Sequence, residues 1–445
     1  MINSRMICLE CVMDILEQKK HSHLVISNTL DNYQYLEKRD RAFINRVCTG
    51  TVERCIELDY IINQFSKVKV TKMKPVIRNI LRISVYQLKY MDSVPNTAVC
   101  NEAVKLAVKK GFHTLKGFVN GVLRNIDRNF NNITYPAKDT VEYLEIKYSM
   151  PSWIIKKWIK DYSKETTIKI LEGFLDEDKS ITIRCNTNKI TVDKLINQLS
   201  SDIKDIERSM YCDDGLKIKG YNYLSKIDAF NDGLFYVQDE SSMVCADATG
   251  AKDNDYIIDV CAAPGGKTVS VALKMNGTGM VDSRDINEYK VGLIEENIER
   301  MALSNVKTKE WDALVLDKEC IGVADVVIAD LPCSGLGVIG KKADIKYNVT
   351  SEDLEELCAI QKNMLSVVKD YVKVGGTLIY STCTINKGEN EDNVKWFLEN
   401  NSDFKLDSLT PYVGNNIVCT QEGMIQMMPG VHNVDGFFIA RFKKI

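Results

Sequence analysis

A chain of 445 residues, 45% hydrophobic and 27% charged, is too long for one ordinary core, so two or three domains are expected. No run of about 18 apolar residues occurs, and the N-terminal stretch carries acids without a small-residue cleavage site, so neither a membrane span nor a signal peptide is expected and the chain reads as cytoplasmic. The net charge of −3 conceals an asymmetry: residues 1–135 hold 21 Lys+Arg against 12 Asp+Glu, a net of +9, which leaves −12 for the rest.

Residues 1–130 read as all-helical, with apolar residues at helical spacing over 7–16, 43–62, 76–90 and 99–108 and with Pro75 and Asn96 at helix starts. The pair Cys8-Leu-Glu-Cys11 lies inside one of these patterns and has no second pair to complete a metal site, so no metal is expected. The other cysteines of the fourteen are scattered and read as reduced thiols. Lys105, Lys109 and Lys110 fall on or near one helix face, and Lys116 and Arg124 add base nearby, which suits an anionic partner. Residues 129–136 form a linker. Over 136–235, helical patterns at 153–162 and 167–175 precede a strand at 181–185, a helix at 192–199 and further short strands, a small α+β module.

Over 236–445 strands and helices alternate. Strands are predicted at 256–260, 279–283, 306–310, 325–329 and 376–380, with helices at 288–301 and 351–372 among them. This is the pattern of an α/β Rossmann-like domain with a parallel sheet. Ligands in such sheets bind beyond the carboxyl ends of the strands. The loop after the first strand, within Asp259-Val-Cys-Ala-Ala-Pro-Gly-Gly-Lys-Thr268, has small residues and two glycines that admit a ligand close to the backbone. It is neither a GxGxxG nucleotide loop nor a P-loop. Asp285 after the second strand is placed to bond a ribose, and Asp312 after the third to bond an adenine amino group. Asp330-Leu-Pro-Cys-Ser-Gly follows the fourth strand and Ser381-Thr-Cys-Thr384 the fifth, which brings Cys333 and Cys383 to neighbouring loops on one sheet edge. Either thiol is a candidate nucleophile. The four histidines lie outside these loops, so histidine catalysis is not expected.

These three strings in order, with Met-Pro-Gly-x-x-x-x-Asp-Gly-Phe-Phe-Ile-Ala over 428–440, resemble the Sun/NOL/NOP family of RNA cytosine-C5 methyltransferases. The first 130 residues resemble the antitermination factor NusB, through Arg39-Asp-Arg-Ala-Phe43, Arg82-Ile-Ser-Val-Tyr-Gln-Leu88, Val94-Pro-Asn-Thr-Ala-Val-Cys-Asn-Glu-Ala-Val104 and Gly117-Phe-Val-Asn-Gly-Val-Leu-Arg124. The resemblance covers nearly the whole chain. It implies a class I methyltransferase domain over 236–445, preceded by the small module and a NusB-like RNA-binding domain.

It further implies S-adenosylmethionine held against Cys261, Ala262, Ala263, Pro264, Gly265, Gly266 and Lys267 and against Asp285, Asp312 and Asp330. Cys383 becomes the nucleophile, Cys333 the residue that assists release, and Asp330 the hydrogen-bond or proton provider at N3 of the base. Asp282 competes with Asp285, but the helix bearing Lys290, Asn297 and Arg300 follows Asp285 at the family's spacing. The acidic Asp176-Glu-Asp-Lys179 departs from the family's more neutral, proline-bearing stretch. The implied partner is 16S rRNA, at a loop cytosine, bound by a monomer without DNA or membrane. Another RNA (tRNA or 23S rRNA), a DNA cytosine methyltransferase, a dehydrogenase and a non-catalytic RNA-binding assembly factor are the competing readings.

Overall fold

The computed structural model describes residues 3–176, 180–414, 416–417, 419 and 422–445. Residues 177–179 of the acidic stretch noted above lie outside them. The chain divides into two compact units, one of 1–175 with 338–349 and one of 176–337 with 350–445, so the dividing point falls within the segment 136–235.

The first unit is helical. Helices Ser4–Leu16, Ser22–Asn32, Lys38–Glu53, Cys55–Phe65, Pro75–Tyr90, Asn96–Lys109 and Lys116–Arg128 are followed by Val141–Tyr148, Ser152–Asp161 and Lys164–Phe174. Val12, Leu58, Ile80, Leu81, Leu123 and Ile126 are wholly or almost wholly buried in a shared core. Apolar side chains at helical spacing supply one buried stripe per helix, and these stripes meet. The pattern over 43–62 predicts one helix, but two form, broken at Arg54 (φ −102°, ψ 13°). No glycine or proline marks the break. The second helix is instead capped from outside, by Ser149 Oγ, which accepts from Ile56 N at 2.8 Å and Glu57 N at 3.4 Å.

The second unit holds two sheets. The strands are β1 (Ile181–Cys185), β2 (Asp205–Arg208), β3 (Gly215–Lys219), β4 (Phe235–Val237), β5 (Tyr256–Asp259), β6 (Met280–Asp285), β7 (Val306–Glu310), β8 (Ala324–Asp330), β9 (Val372–Thr382), β10 (Phe404–Leu406), β11 (Met424–Met427) and β12 (Phe437–Lys444). The smaller sheet is antiparallel, in the order β2-β3-β1-β4, and Leu195 and Leu199 of helix Val192–Leu199 join its core. The larger sheet has the order β10-β12-β9-β8-β5-β6-β7, with β11 paired to β12. Its five strands β5 to β9 are parallel, and β12 runs antiparallel to β9. The succession reverses between β5 and β8, and such a switch point opens a crevice at the strands' carboxyl ends.

Two boundaries differ from the sequence pattern. β9 begins at Val372, where a helix was expected to continue, and runs to Thr382 through Gly375 (φ +74°) and a register shift against β8. The glycine pair hides a continuous strand behind what reads as a turn. The C-terminal strands β10 to β12, absent from the expected set, complete the sheet through apolar residues such as Phe438, Ala440 and Phe442.

Candidate active site

Five loops follow the five parallel strands, and the expected site residues are distributed over them. After β5 the chain turns sharply: Ala262 N donates to Arg284 O at 2.9 Å, Gly265 N to Ala262 O at 2.7 Å, and Gly265 takes φ +100° as the cap of helix Gly266–Lys274. That left-handed conformation is strained for any residue with a Cβ, which accounts for the glycine. Asn297 Nδ2 holds the turn from the next helix by donating to Pro264 O at 2.9 Å.

Asp285, 3% exposed at the end of β6, accepts from Ala263 N at 2.9 Å and Ile286 N at 2.8 Å and pairs with Lys290 at 3.0 Å. Its rival Asp282 lies in a buried cluster in which Oδ2 meets Arg284 at 2.6 Å, Lys307 at 3.3 Å and Tyr256 Oη at 3.0 Å. Asp312 stands beyond β7 and accepts Leu314 N at 2.9 Å, a turn of its own rather than a bond to the other loops.

Two groupings form at the centre. In the first, Lys267 Nζ donates to Asp330 Oδ2 at 2.5 Å and Ser381 Oγ to Asp330 Oδ1 at 2.8 Å. Burial pulls the Lys267 ammonium down, but the Asp330 carboxylate outweighs it and holds the lysine above its usual range. Both Asp330 oxygens therefore act as acceptors, and the proton in this grouping resides on Lys267. In the second, Cys333 Sγ lies 3.2 Å from Cys383 Sγ, in two residues that are each partly exposed. Contact with Cys383, burial and the nearby Glu389 charge all push the Cys333 thiol up. The two loops are pinned by Leu331 N to Ser381 O at 3.1 Å and Gly337 N to Cys383 O at 3.1 Å. A Cβ on Gly337 would stand 2.0 Å from Gly436 O and 2.8 Å from Cys383 O, so only glycine allows this approach.

Beneath the first loop, Asp259 is fully buried, accepts from Thr268 Oγ1 at 2.8 Å, and is pushed up by burial to about 7. Sequence reasoning passed over Gln238. Its buried Nε2 has no partner and lies 3.6 Å from where a Cβ on Gly266 would stand. A polar residue closing the apolar run Leu234-Phe-Tyr-Val was the available signal.

An orphaned amide donor beside a glycine turn, followed by carboxylates at the ends of β6 and β7, fits a ligand with polar main-group, ribose and amino functions. That donor set is suited to S-adenosylmethionine.

The family model for the 16S rRNA methyltransferase RsmB/F matches residues 248–443, that of the NusB family 2–128, and that of the RsmF/B-like ferredoxin-like domain 150–223. A probable ribosomal RNA small subunit methyltransferase B of Bacillus subtilis is 33% identical over 444 residues, 99% of this chain and 98% of its own. One from Synechocystis is 30% identical over 452 residues, all of both chains. Among solved structures, the crystallised protein PH0851 is similar with a TM-score of 0.85 at 27% identity, covering 100% of this chain and 99% of that one.

Proposed function

Since the chain belongs to the RsmB/F family of ribosomal RNA small subunit methyltransferases, we propose that it methylates carbon 5 of a loop cytosine in 16S rRNA, as a cytoplasmic monomer, with Cys383 as the nucleophile. The observation that carries this reading is the thiol pair at 3.2 Å, set on the same sheet edge as the Lys267–Asp330 ion pair.

Carbon 5 of cytosine is a poor nucleophile. Addition of the Cys383 thiolate to carbon 6 turns the ring into an enamine, and cysteine suits this covalent step because its thiolate is strongly nucleophilic. Charge then builds toward N3. Lys267 and Ser381 both donate to Asp330, so the Lys267–Asp330 pair, rather than the aspartate by itself, provides the proton or hydrogen bond there. S-adenosylmethionine, when bound, would be held by residues 261–267, Asp285, Asp312 and Asp330 and would supply the methyl group for carbon 5. Afterwards water at this partly exposed edge takes the carbon 5 proton, the carbon 6–sulfur bond breaks, and its electron pair returns to Cys383, with Cys333 assisting.

The target base must leave its stack, at a cost of about a few kcal/mol, which a single-stranded loop lowers. The +9 charge of residues 1–135 supplies phosphate contacts.

Incubation of the protein with S-adenosylmethionine and small-subunit rRNA transcript, followed by mapping of 5-methylcytosine, tests the proposal. One modified cytosine in 16S rRNA is expected. Product confined to tRNA or 23S rRNA would reassign the substrate and keep the chemistry, and no product on any RNA would favour a non-catalytic assembly factor.

A further inference from the structure

The loop after Cys383 carries a carboxylate for which the reaction as described has no use. Glu389 sits in the polar run Gly-Glu-Asn-Glu-Asp-Asn over 388–393, yet Glu389, Asn390 and Asn393 are all 0% exposed. Four neutral donors converge on the two oxygens of Glu389. Oε1 accepts from Ser334 Oγ at 2.5 Å and Asn386 Nδ2 at 2.9 Å; Oε2 accepts from Ser334 N at 2.9 Å and Gln361 Nε2 at 3.0 Å. Taking an ionised carboxylate out of water costs several kcal/mol unless such bonds replace its hydration. A neutral amide would tie two loops together at less cost, so the retained charge calls for an explanation.

The network grips both flanks of both thiols. Ser334 follows Cys333, and Gln361 Nε2 also donates to the carbonyl of Pro332, which precedes it, at 2.9 Å. On the other side, Thr384 Oγ1 shares a 2.8 Å bond with Ser334 Oγ. Asn390, next to Glu389, donates to Thr384 O at 3.0 Å and accepts from Thr382 Oγ1 at 2.6 Å. Thr382 and Thr384 bracket Cys383. The 3.2 Å approach of the two sulfurs is thus set by one buried network with Glu389 at its hub.

We propose that Glu389 is a positioning residue of the two-thiol site, holding the Cys333 thiol against the sulfur of Cys383 for the release step. The inference rests on Cys383 as nucleophile and Cys333 as the release partner. The charge has a second consequence. An anion beside Cys333 opposes a second anion there, in keeping with the upward push on that thiol, so Cys333 retains its proton. A protonated Cys333 donates a hydrogen bond to the departing thiolate, which a second thiolate could not do.

The test uses the full chain, S-adenosylmethionine and small-subunit rRNA transcript. Glu389→Gln keeps the size but turns an amide N–H2 toward groups that are themselves donors. It should slow multiple turnover roughly 10- to 100-fold, the scale of a misplaced group, and accumulate a covalent protein–RNA adduct on denaturing gels, with the KM for S-adenosylmethionine unchanged. In a Cys333→Ala background it should add no further adduct, because its effect runs through that thiol.

A merely structural role would lower adduct and turnover together and would deepen the defect of Cys333→Ala. Ser334→Ala removes one donor and leaves the carboxylate in place, so it decides the matter if E389Q fails to fold: accumulated adduct supports the proposal, and slowed turnover without adduct overturns it. If Cys333→Ala itself traps no adduct, the reading of the two thiols fails. If Cys333→Ala traps it and a folded E389Q does not, the role of Glu389 alone is overturned.

Discussion

Glu17 and Glu57 in the helical unit, and Asp259 and Asp285 in the sheet unit, are all carboxylates drawn largely out of water, yet their partners differ in kind. Glu17 takes a bidentate bond from Arg78, a bond from Asn79 Nδ2 at 2.7 Å and an ion pair with Arg82 at 3.7 Å, which staples the end of the first helix to Pro75–Tyr90. Glu57 accepts from Tyr90 and from Tyr135 Oη at 2.7 Å, with Lys89 at 3.5 Å. These are long side chains joining distant stretches of sequence. Asp285 instead holds two backbone amides of strand-end loops beside Lys290 of the following helix, and Asp259 a threonine hydroxyl, with Oδ1 left unpartnered. The first pattern stabilises a scaffold. The second shapes the strand-end loops and, at Asp259 Oδ1, leaves polar capacity unused.

If that contrast holds, substitutions at the sheet edge should cost activity at little cost to folding. The largest effect is expected from Cys383→Ala, which should remove 5-methylcytosine entirely in a mass-spectrometric assay while Cys333→Ala leaves a covalent adduct. The reverse pattern would exchange the roles of the two thiols. Next, Asp330→Asn, which breaks the ion pair with Lys267, should lower kcat on the order of 10²- to 10⁴-fold; an unchanged single-turnover rate would remove the pair from the chemistry. Asp285→Asn should weaken S-adenosylmethionine binding by about 10- to 100-fold, the worth of a charge-assisted hydrogen bond, as read by calorimetry, with a smaller change in kcat at saturation.

The smallest effect compares the units directly. Lys346, 2% exposed in the helical unit, donates to Glu53 O at 2.8 Å and is pulled by burial down to about 7, while Asp259 is pushed by burial up to about 7. Folded Asp259 keeps a proton that the unfolded chain releases above about pH 4, so its contribution to stability falls as pH rises toward 7. Folded Lys346 gives up a proton that the unfolded chain keeps to about pH 10, so its contribution rises with pH from 7 upward. The Tm of Asp259→Asn relative to the parent should therefore climb by a few degrees between pH 5 and 8. That of Lys346→Met should fall by a few degrees between pH 6 and 10. Parallel slopes in thermal scans would show that the two sites do not titrate in this way.

Much of this was legible from the chain alone where the signal is local. Helical spacing located most helices of the first unit, short apolar runs located all five parallel strands, and the order of the motifs put both thiols at strand ends. The rest depended on contacts between residues far apart in sequence. The break at Arg54 is made by Ser149, ninety-odd residues away. The role of Glu389 was passed over because its buried partners, Ser334 and Gln361, come from another loop and a helix distant in sequence. Asp330 could be recognised as a site residue, but not as the acceptor of bonds from Lys267 and Ser381, since those partners reach it only through folding.

By itself, then, the sequence determined periodicity, punctuation and the types of reactive group, because these depend on a residue and its near neighbours. Only the tertiary structure decided which groups touch. The 3.2 Å thiol pair, the Lys267–Asp330 bond and the hub at Glu389 each join separate strand-end loops. Such distances are fixed by sheet order and register, which no stretch of chain specifies until its partners are in place.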